Sequence, residues 1–340
     1  MELINVIPRE LILPGTPTLD GLRFRTFTGQ KDLSAMLEVL IPSKLADGLE
    51  EGDSLEQITN SYVHMEHSNP YEDMIIAEVD GRMIGYSRVT YYIEENTGDA
   101  IYGLFGFIHP DWRRRGIGRA MMRYNEQHLR QIAAGQTCKG KRYFETFLQT
   151  TQSGAVALAE LEGYQPARYA YIMVRPDLDN LADAPMPAGL EVRPVLPEQV
   201  RLIWDASQEA FQDHWGYVRE GEEDYQSWLN WPYFKPELWQ VAWDGDQVAG
   251  MVLNFINIAE NEQFKRKRGW TENIAVRRPW RKRGLARALI IRSLAMLKDL
   301  GMTEAALGVD TQNTSGALRV YESCGFKPVF TSVNYRKEML

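Results

Sequence analysis

The sequence predicts a mixed α/β protein of the α+β type, built from two copies of one domain in tandem. The chain has 340 residues, a length that suits two domains better than one. Hydrophobic residues make up 44% and charged residues 25%, the balance of a soluble globular protein. Three segments of the first half recur in the second half in the same order. This internal repeat is the main reason for predicting two similar domains.

The first repeated segments are a short strand and a hairpin. Leu22–Arg25 recurs as Leu190–Arg193. An Asp-Gly pair between two apolar runs, Asp80-Gly81, recurs as Asp244-Gly245. Such a pair favours a tight hairpin turn, because the turn requires positive φ angles. We therefore expect an antiparallel hairpin early in the sheet of each copy.

The third repeated segment is a basic, glycine-containing loop that precedes a helix. Trp112–Ala120 recurs as Trp280–Ala288. The residues after each loop have helical spacing, and each helix is expected to end at a glycine, Gly135 or Gly301. The predicted helix faces carry Met122, Asn125, Leu129 and Ile132 in the first copy, and Ala286, Ile290, Leu294 and Leu297 in the second.

A segment between the copies has the composition of a linker. Arg175–Pro187 is rich in Pro, Asp and Ala and has no hydrophobic periodicity. We predict an N-terminal domain over residues 1–175, a linker over 176–187 and a C-terminal domain over 188–340.

The loop in the second copy has the features of an anion-binding site. A strand ending at Val276 leads into the basic loop, and the loop opens a helix. The first N–H groups of a helix have no partner within the helix, and the helix dipole adds positive charge there. Gly284 and Ala286 would let a diphosphate approach these N–H groups. The first copy repeats this arrangement, which makes an incidental basic turn a poor explanation.

The repeated Arg-x-x-Gly-x-Gly/Ala pattern resembles the signature of the GCN5-related N-acetyltransferases (GNAT). The resemblance covers nearly the whole chain, in a tandem form similar to that of mycothiol synthase. It implies that acetyl-CoA is the acyl donor, that the loop holds its pyrophosphate, and that the preceding strand lies along its pantetheine arm. The positions implied to contact acetyl-CoA are Ile274, Ala275, Val276, Arg281, Lys282, Arg283, Gly284, Leu285, Ala286, Arg287 and Asn313 in the second copy, and Arg113, Gly116 and Gly118 in the first.

Tyr321 is the candidate general acid. Asn313, Ala317 and Tyr321 precede Gly325-Phe326 in a segment that looks like the closing segment of the family. Their spacing would place all three on one side of a helix. The resemblance implies that Tyr321 reaches the sulfur of CoA and protonates the leaving thiolate. The alternative is a core aromatic residue with a solvated hydroxyl.

Glu272 is the candidate general base. It lies two residues before Ile274, so a regular strand would place both side chains on the same face, beside the thioester. Partial burial would raise the pKa of its carboxyl toward the range a base needs. The alternative is a hydrogen-bonded or exposed strand carboxylate without a catalytic role.

The first copy lacks both candidate proton-transfer residues. Aligning the closing segments places Ala159 opposite Tyr321, and aligning the loops places Leu104 opposite Glu272. We expect the first copy to be catalytically inactive. Whether it binds CoA or serves only as a scaffold stays open at this point.

The candidate acceptor contacts follow the first helical stretch of the second copy. They are Asp213, His214 and Trp215. A carboxylate, an imidazole and an aromatic ring suit a pocket for an amine with apolar bulk.

The expected reaction is direct transfer of acetyl from acetyl-CoA to the primary amine of a small molecule in a ternary complex. Two other functions stay open. The acceptor could be a protein N-terminus or lysine, or the chain could be a non-catalytic module that binds acyl-CoA. The sequence does not indicate the acceptor, the acyl chain or the oligomeric state.

The composition argues against several other classes of protein. Only two cysteines are present, so neither a disulfide framework nor a zinc site is expected. The net charge of −8 does not favour a nucleic-acid partner. No segment has the pattern of a signal peptide or a membrane span. We therefore expect a cytoplasmic protein without a metal.

Overall fold

The computed structural model describes residues 3–313 and 316–340. The chain folds into two compact units. Of the described residues, the first unit contains 3–167, 221–231 and 333–340, and the second contains 168–220, 232–313 and 316–332. Both units combine a mixed sheet with helices, which confirms the predicted α/β class.

The first unit has a six-stranded stretch of sheet in which spatial order follows chain order. Its strands are β1 (Glu10–Leu11), β2 (Leu22–Arg25), β3 (Met74–Val79), β4 (Arg82–Ile93), β5 (Ala100–Ile108) and β6 (Arg142–Gln149). Neighbouring strands are antiparallel except β5 and β6, which are parallel. Its helices are α1 (Gln30–Ala46), α2 (Leu55–Val63), α3 (Pro70–Asp73), α4 (Ile117–Ala134) and α5 (Ser153–Leu161).

The second unit repeats this plan. The remaining strands of the chain are β7 (Gln165–Arg175), β8 (Glu191–Val192), β9 (Gln240–Asp244), β10 (Gln247–Phe255), β11 (Arg268–Val276), β12 (Glu304–Asp310) and β13 (Lys327–Glu338). They belong to the second unit except for residues 165–167 of β7 and 333–338 of β13. The spatial order is β7-β12-β11-β10-β9-β8, and only β11 and β12 are parallel neighbours. The helices of this half are α6 (Val200–Phe211), α7 (Glu222–Leu229), α8 (Ile258–Gln263), α9 (Leu285–Asp299) and α10 (Ala317–Ser323), of which α7 belongs to the first unit.

The hairpins and the helix after each loop form where the sequence predicts them. Asp80 and Gly81 both have positive φ angles, 50° and 80°, and join β3 to β4. Helix α9 buries Ile290, Leu294 and Leu297 completely. Gly301 follows it with a φ of 82°, as the predicted end of the helix requires.

The compact units differ from the predicted domain boundaries at three places, one of which is the segment 221–231, which belongs to the first unit. Residues 168–175 of β7 belong to the second unit, because β7 pairs antiparallel with β12 from Ala170↔Asp310 to Arg175↔Ala305. Conversely, residues 333–340 belong to the first unit, where Val333 and Tyr335 join its core. The two halves of the chain thus exchange their final strand segments. The predicted linker contains no helix or strand from 176 to 187, but Leu178 is buried in the core of the second unit.

Within the described parts of the chain, none of the helices has the length and apolar character that a membrane crossing requires.

Candidate active site

The basic loop of the second copy has the backbone geometry of an anion cradle. Lys282 and Gly284 have positive φ angles of 61° and 82°, and Gly284 is the N-cap residue of α9. A Cβ atom built on Gly284 would have no neighbour within 4 Å, so the start of the helix is open. Because no side chain caps this end, the first N–H groups of α9 are available for an anion. The loop therefore fits the diphosphate of CoA.

The side chain of Arg281 has a different role from the predicted one. Its Nε donates to the carbonyl of Val276 at 2.9 Å, and its Nη2 donates to the carbonyl of Ala210 at 3.1 Å. Its Nη1 donates to Asp213 at 3.2 Å. The guanidinium thus ties the loop to the end of β11 and to α6. Only the backbone of Arg281 remains a candidate phosphate contact.

Arg113 makes the same set of contacts in the first copy. Its Nε donates to the carbonyl of Ile108 at 3.0 Å, and its Nη2 donates to the carbonyl of Ser43 at 3.1 Å. Its Nη1 donates to Asp47 at 2.6 Å. The arginine that begins the motif is therefore a structural clamp in both copies. Sequence alone could not separate this role from phosphate binding.

The other predicted loop residues divide into buried and exposed side chains. Leu285 is 1% exposed and packs in the core, so only its backbone faces the loop. Lys282, Arg283 and Arg287 are exposed and lie where they add positive charge around the helix start. Ala286 is partly buried in the first turn of α9.

A β-bulge at Asn273 interrupts the strand that leads into the loop. The pairing of β10 with β11 runs Met251↔Ala275 and then Leu253↔Glu272, so β11 contains one extra residue. Asn273 has a positive φ angle of 46°. Because cross-strand partners share a face, Glu272 lies on the face of Ala275 and not on that of Ile274. The predicted shared face of Glu272 and Ile274 is wrong, since it assumed a regular strand.

β11 and β12 diverge toward the loop. Their parallel pairing ends at Trp270↔Ala306, although β11 continues to Val276 and β12 to Asp310. Among the described residues, residues 274–276 of β11 have no backbone pairing partner in β12. An extended ligand could therefore lie along Ile274, Ala275 and Val276, as the family resemblance implies.

Glu272 lies at the start of this divergence. Its Oε1 accepts a hydrogen bond from the backbone N–H of Gly308 at 3.0 Å. The surrounding protein raises the pKa of its carboxyl to about 7, because desolvation outweighs the opposing effect of the Gly308 N–H. The side chain is nevertheless partly exposed. A carboxylate with this pKa and this access can exchange a proton near neutral pH.

Tyr321 lies close to Glu272 in the interior of the second unit. It is 7% exposed, and burial raises the pKa of its phenol, with the charge of Glu272 contributing to the shift. The phenol is therefore protonated at neutral pH. The prediction that Asn313 shares a helix with Tyr321 is wrong, because α10 begins at Ala317 after the N-cap Gly316. Residues 314 and 315 of this predicted segment lie outside the described residues.

The three candidate acceptor contacts have different surroundings. Asp213 pairs with Arg278 and Arg281, and hydrogen bonds from both lower the pKa of its carboxyl. It therefore belongs to the structural clamp, which argues against the predicted acceptor contact. His214 Nε2 lies 3.4 Å from Nδ2 of Asn313, and burial lowers the pKa of its imidazole. His214 thus connects the loop after α6 to the segment after β12.

An ion pair that the sequence analysis missed lies beside Trp215. Arg168 forms two hydrogen bonds with the carboxylate of Asp310, at 2.9 and 2.6 Å. Its guanidinium carbon is 5.4 Å from the centroid of the Trp215 ring. Arg168 lies on β7, the strand that the first half of the chain contributes to the second unit. No local pattern marks it, because its contacts arise only when β7 pairs with β12.

The first copy has apolar residues at both proton-transfer positions. Its strands β4 and β5 pair without a bulge, and Arg88↔Phe105 occupies the position of Leu253↔Glu272. The residue of the first copy that is equivalent to Glu272 is therefore Phe105, not the predicted Leu104, because the bulge adds one residue to β11. Ala159 is fully buried in α5. Gly116 keeps a positive φ angle of 87° at the start of α4, and Gly118 lies in the first turn of that helix.

Two sequence models of one family match the chain, one in each half. The model described as "Acetyltransferase (GNAT) domain" matches residues 70–166, and the model described as "Acetyltransferase (GNAT) family" matches residues 201–326. The two matches include the basic loops of both copies.

Curated relatives match both copies together. A mycothiol acetyltransferase of Geodermatophilus obscurus is 27% identical over 311 residues, which cover 90% of this chain and 94% of the relative. A mycothiol acetyltransferase of Salinispora arenicola is 27% identical over 315 residues, covering 92% and 96%.

Solved structures share the fold over nearly the whole chain. A GCN5-related N-acetyltransferase from Sphaerobacter thermophilus is 25% identical with a TM-score of 0.68, covering 94% of this chain and 96% of that one. A tandem GNAT protein from the clavulanic acid biosynthesis pathway shares the fold at 16% identity, with a TM-score of 0.64 and coverage of 93% and 98%. The chain therefore belongs to the GNAT acetyltransferase family, with one domain of the family in each half, and it is an acetyl-CoA-dependent N-acetyltransferase.

Proposed function

We propose that the second copy transfers acetyl from acetyl-CoA directly to the primary amine of a small molecule while both substrates are bound. The observation that carries this proposal is the position of Glu272. Its carboxyl is accessible, has a pKa of about 7, and lies where β11 and β12 diverge, close to Tyr321. A base and an acid are thus held near the place where the thioester would lie.

The backbone of the second copy would hold the acyl donor. The N–H groups at the start of α9 would bind the diphosphate, with Lys282, Arg283 and Arg287 adding charge. The backbone of Ile274–Val276 would bind the extended arm. A backbone N–H at the Asn273 bulge would stabilise charge on the carbonyl oxygen. Bound acetyl-CoA would supply an activated acyl group in the form of its thioester.

Glu272 and Tyr321 would carry out the two proton transfers. Glu272, once ionised, would accept a proton from the attacking amine. Tyr321 holds its proton at neutral pH, because burial raises the pKa of its phenol. It can therefore donate that proton to the departing sulfur. This arrangement needs no covalent enzyme intermediate.

The acceptor would bind between the loop after α6 and the segment after β12. His214, Asn313 and Trp215 lie there, and Arg168 with Asp310 fixes the end of β12. The curated relatives that match nearly the whole chain bear the name mycothiol acetyltransferase, which supports a small-molecule acceptor.

We also propose that the first copy does not transfer acetyl groups. Phe105 and Ala159 occupy the positions of Glu272 and Tyr321 and cannot exchange protons. In the full chain, the combined variant Glu272→Gln/Tyr321→Phe should therefore retain no second, slower activity. A residual rate that Phe105→Ala or Gly116→Val then reduced would assign transfer to the first copy.

The test is a screen of small amines with detection of the free thiol of CoA. The wild type should release thiol with an amine, and Tyr321→Phe should lower turnover about 10²-fold with CoA binding unchanged. Tyr143→Phe, a matched change on β6, should have no effect. An unchanged rate in Tyr321→Phe would remove the acid role. A wild type that binds CoA but acetylates only peptides would replace the small-molecule acceptor.

A further inference from the structure

Arg88 of the first unit lies between two aromatic rings instead of beside an acid. It is on β4, and its guanidinium carbon lies 5.2 Å from the centroid of the Tyr62 ring and 4.7 Å from that of Phe105. Its Nη1 is 3.3 Å from the sulfur of Met65. The side chain is partly exposed, so it is accessible from solvent.

Two hydrogen-bond donors at this place have no partner. Arg88 Nε and the Tyr62 hydroxyl are both buried and form no hydrogen bond of normal geometry within the described residues. The guanidinium is nevertheless near enough to the phenol to oppose the rise of its pKa, which burial takes to about 12. The two donors therefore converge on one place, and both lack an acceptor.

Other arginines of the same unit show what is missing at Arg88. Arg25 forms an ion pair with Asp32 at 2.9 Å, and Arg113 forms one with Asp47 at 2.6 Å. No carboxylate pairs with Arg88 among the residues that the structure describes. A partly buried guanidinium in aromatic surroundings ordinarily has such a partner, because burying an unpaired charge is unfavourable. The described residues do not supply this partner to Arg88.

Comparison of the two copies shows which residue of the second copy is equivalent to Arg88. The cross-strand pair Gly85↔Ile108 of the first copy is equivalent to the pair Gly250↔Val276 of the second. Arg88 lies three residues after Gly85 and Leu253 lies three residues after Gly250, so these two residues are equivalent. Phe105, the partner of Arg88, occupies the position of Glu272. The second copy thus presents a carboxylate where a cationic amine would arrive. The first copy presents a cation at the same point of the domain.

We propose that Arg88 and the Tyr62 hydroxyl form a binding site for the carboxylate of a small organic acid. The planar fork of the guanidinium matches the two oxygens of a carboxylate. The faces of Tyr62 and Phe105, with the partly exposed Phe107 nearby, would contact the apolar part of the ligand. In this arrangement the first copy would bind a ligand at the place equivalent to the acceptor site of the second copy, and it would not catalyse a reaction there.

The test measures binding of benzoate to the full chain by calorimetry, with benzamide as the uncharged analogue. We expect saturable benzoate binding and at least about tenfold weaker binding of benzamide. Arg88→Leu, which introduces the residue of the second copy, should weaken benzoate binding about tenfold or more. Arg82→Gln, a matched change at an exposed position of the same strand, should leave it unchanged.

Two further variants keep the test informative if Arg88→Leu does not fold. Tyr62→Phe removes only the hydroxyl and should weaken benzoate several-fold. Glu272→Gln alters the second copy and should have no effect on benzoate binding, which separates this site from the proposed active centre. The proposal is overturned if benzoate does not saturate at millimolar concentration, if benzamide binds equally well, or if Tyr62→Phe and the Arg88 variant both bind like the wild type.

Discussion

Glu272 gains its chemical character from its position rather than from its neighbours in sequence. Its carboxyl accepts a hydrogen bond from the Gly308 N–H and lies in a region of the second unit that disfavours charge. The same surroundings keep Tyr321 protonated. Burial raises both pKa values, so the carboxylate of Glu272 becomes a stronger base and the phenol of Tyr321 keeps its proton.

The pH dependence of turnover should reflect Glu272. Because only its ionised form accepts a proton, the rate should rise with pH and level off above about 7, where the pKa of this carboxyl lies. Glu272→Gln should lower the rate about 10²-fold or more and remove this inflection. The measurement is the pH profile of kcat with an amine whose own pKa lies well above 7. An identical inflection in the variant would show that another group is the base.

The stability of the protein should depend on the same carboxyl. Its pKa is higher in the folded chain, about 7, than the value of 4.5 expected in the unfolded chain, so folding favours the protonated form. The contribution is complete below pH 4.5 and is lost as the pH rises through 7. Relative to the wild type, Glu272→Gln should therefore gain stability between pH 4 and pH 8, by at most about 3 kcal/mol. Urea unfolding at both pH values checks this, with the exposed Glu198→Gln as the control that should show no such change.

The helix α9 offers a matched test of the anion cradle. Gly284 and Gly301 flank its two ends, share a φ of 82°, and have open space where a Cβ would lie. Valine at either position should cost about 1–2 kcal/mol of stability, because the left-handed conformation disfavours it. Only Gly284→Val should also weaken CoA binding, since only that end presents free N–H groups. Calorimetry with CoA distinguishes the two, and equal affinity in both variants would remove the loop from the binding site.

The bulge in β11 is the element that distinguishes the two copies most clearly. Deleting Asn273 should give β10 and β11 the regular pairing that β4 and β5 have, with Glu272 still paired with Leu253. The backbone N–H proposed to polarise the thioester carbonyl would then be taken up by a hydrogen bond between strands. We expect turnover to fall about 10²-fold while CoA binding is retained. Turnover close to that of the wild type would show that the bulge has no part in the reaction.

Local features of these elements could be predicted from the sequence, whereas register could not. The Asp-Gly turns and the glycine after α9 require particular φ angles, and these requirements are visible in the residue type. The position of Glu272 depends on one extra residue in a strand, and that is fixed by pairing with β10. For the same reason, aligning the two copies by sequence matched Glu272 with Leu104 instead of Phe105. The clamp role of Arg281 depends on Ala210 and Asp213, which lie about 70 residues away in the chain.

Across the whole molecule, the halves recognised in the sequence are not the units that pack together. The repeat predicts two contiguous domains, but β7 completes the second unit and the final residues complete the first. This exchange leaves no signal in composition or periodicity, since each segment reads as an ordinary strand. One consequence is that Arg168, from the first half, holds Asp310 in the second unit. A fragment containing only residues 188–340 would lack that ion pair.

The final strand segment should contribute strongly to the stability of the first unit. Arg336 pairs with two carboxylates, Glu94 and Glu145, whose exposures are only 1% and 8%. Arg336→Met would leave both charges buried without this partner and should cost about 3–5 kcal/mol. Adding Glu94→Gln and Glu145→Gln should recover a large part of that loss, because no buried charge would then remain. The exposed Lys141→Met, which removes a surface pair with Glu338, should leave stability nearly unchanged, because solvent screens this pair. Urea unfolding of the four proteins decides the matter, and a triple variant as unstable as Arg336→Met would show that packing, not charge, holds this segment in place.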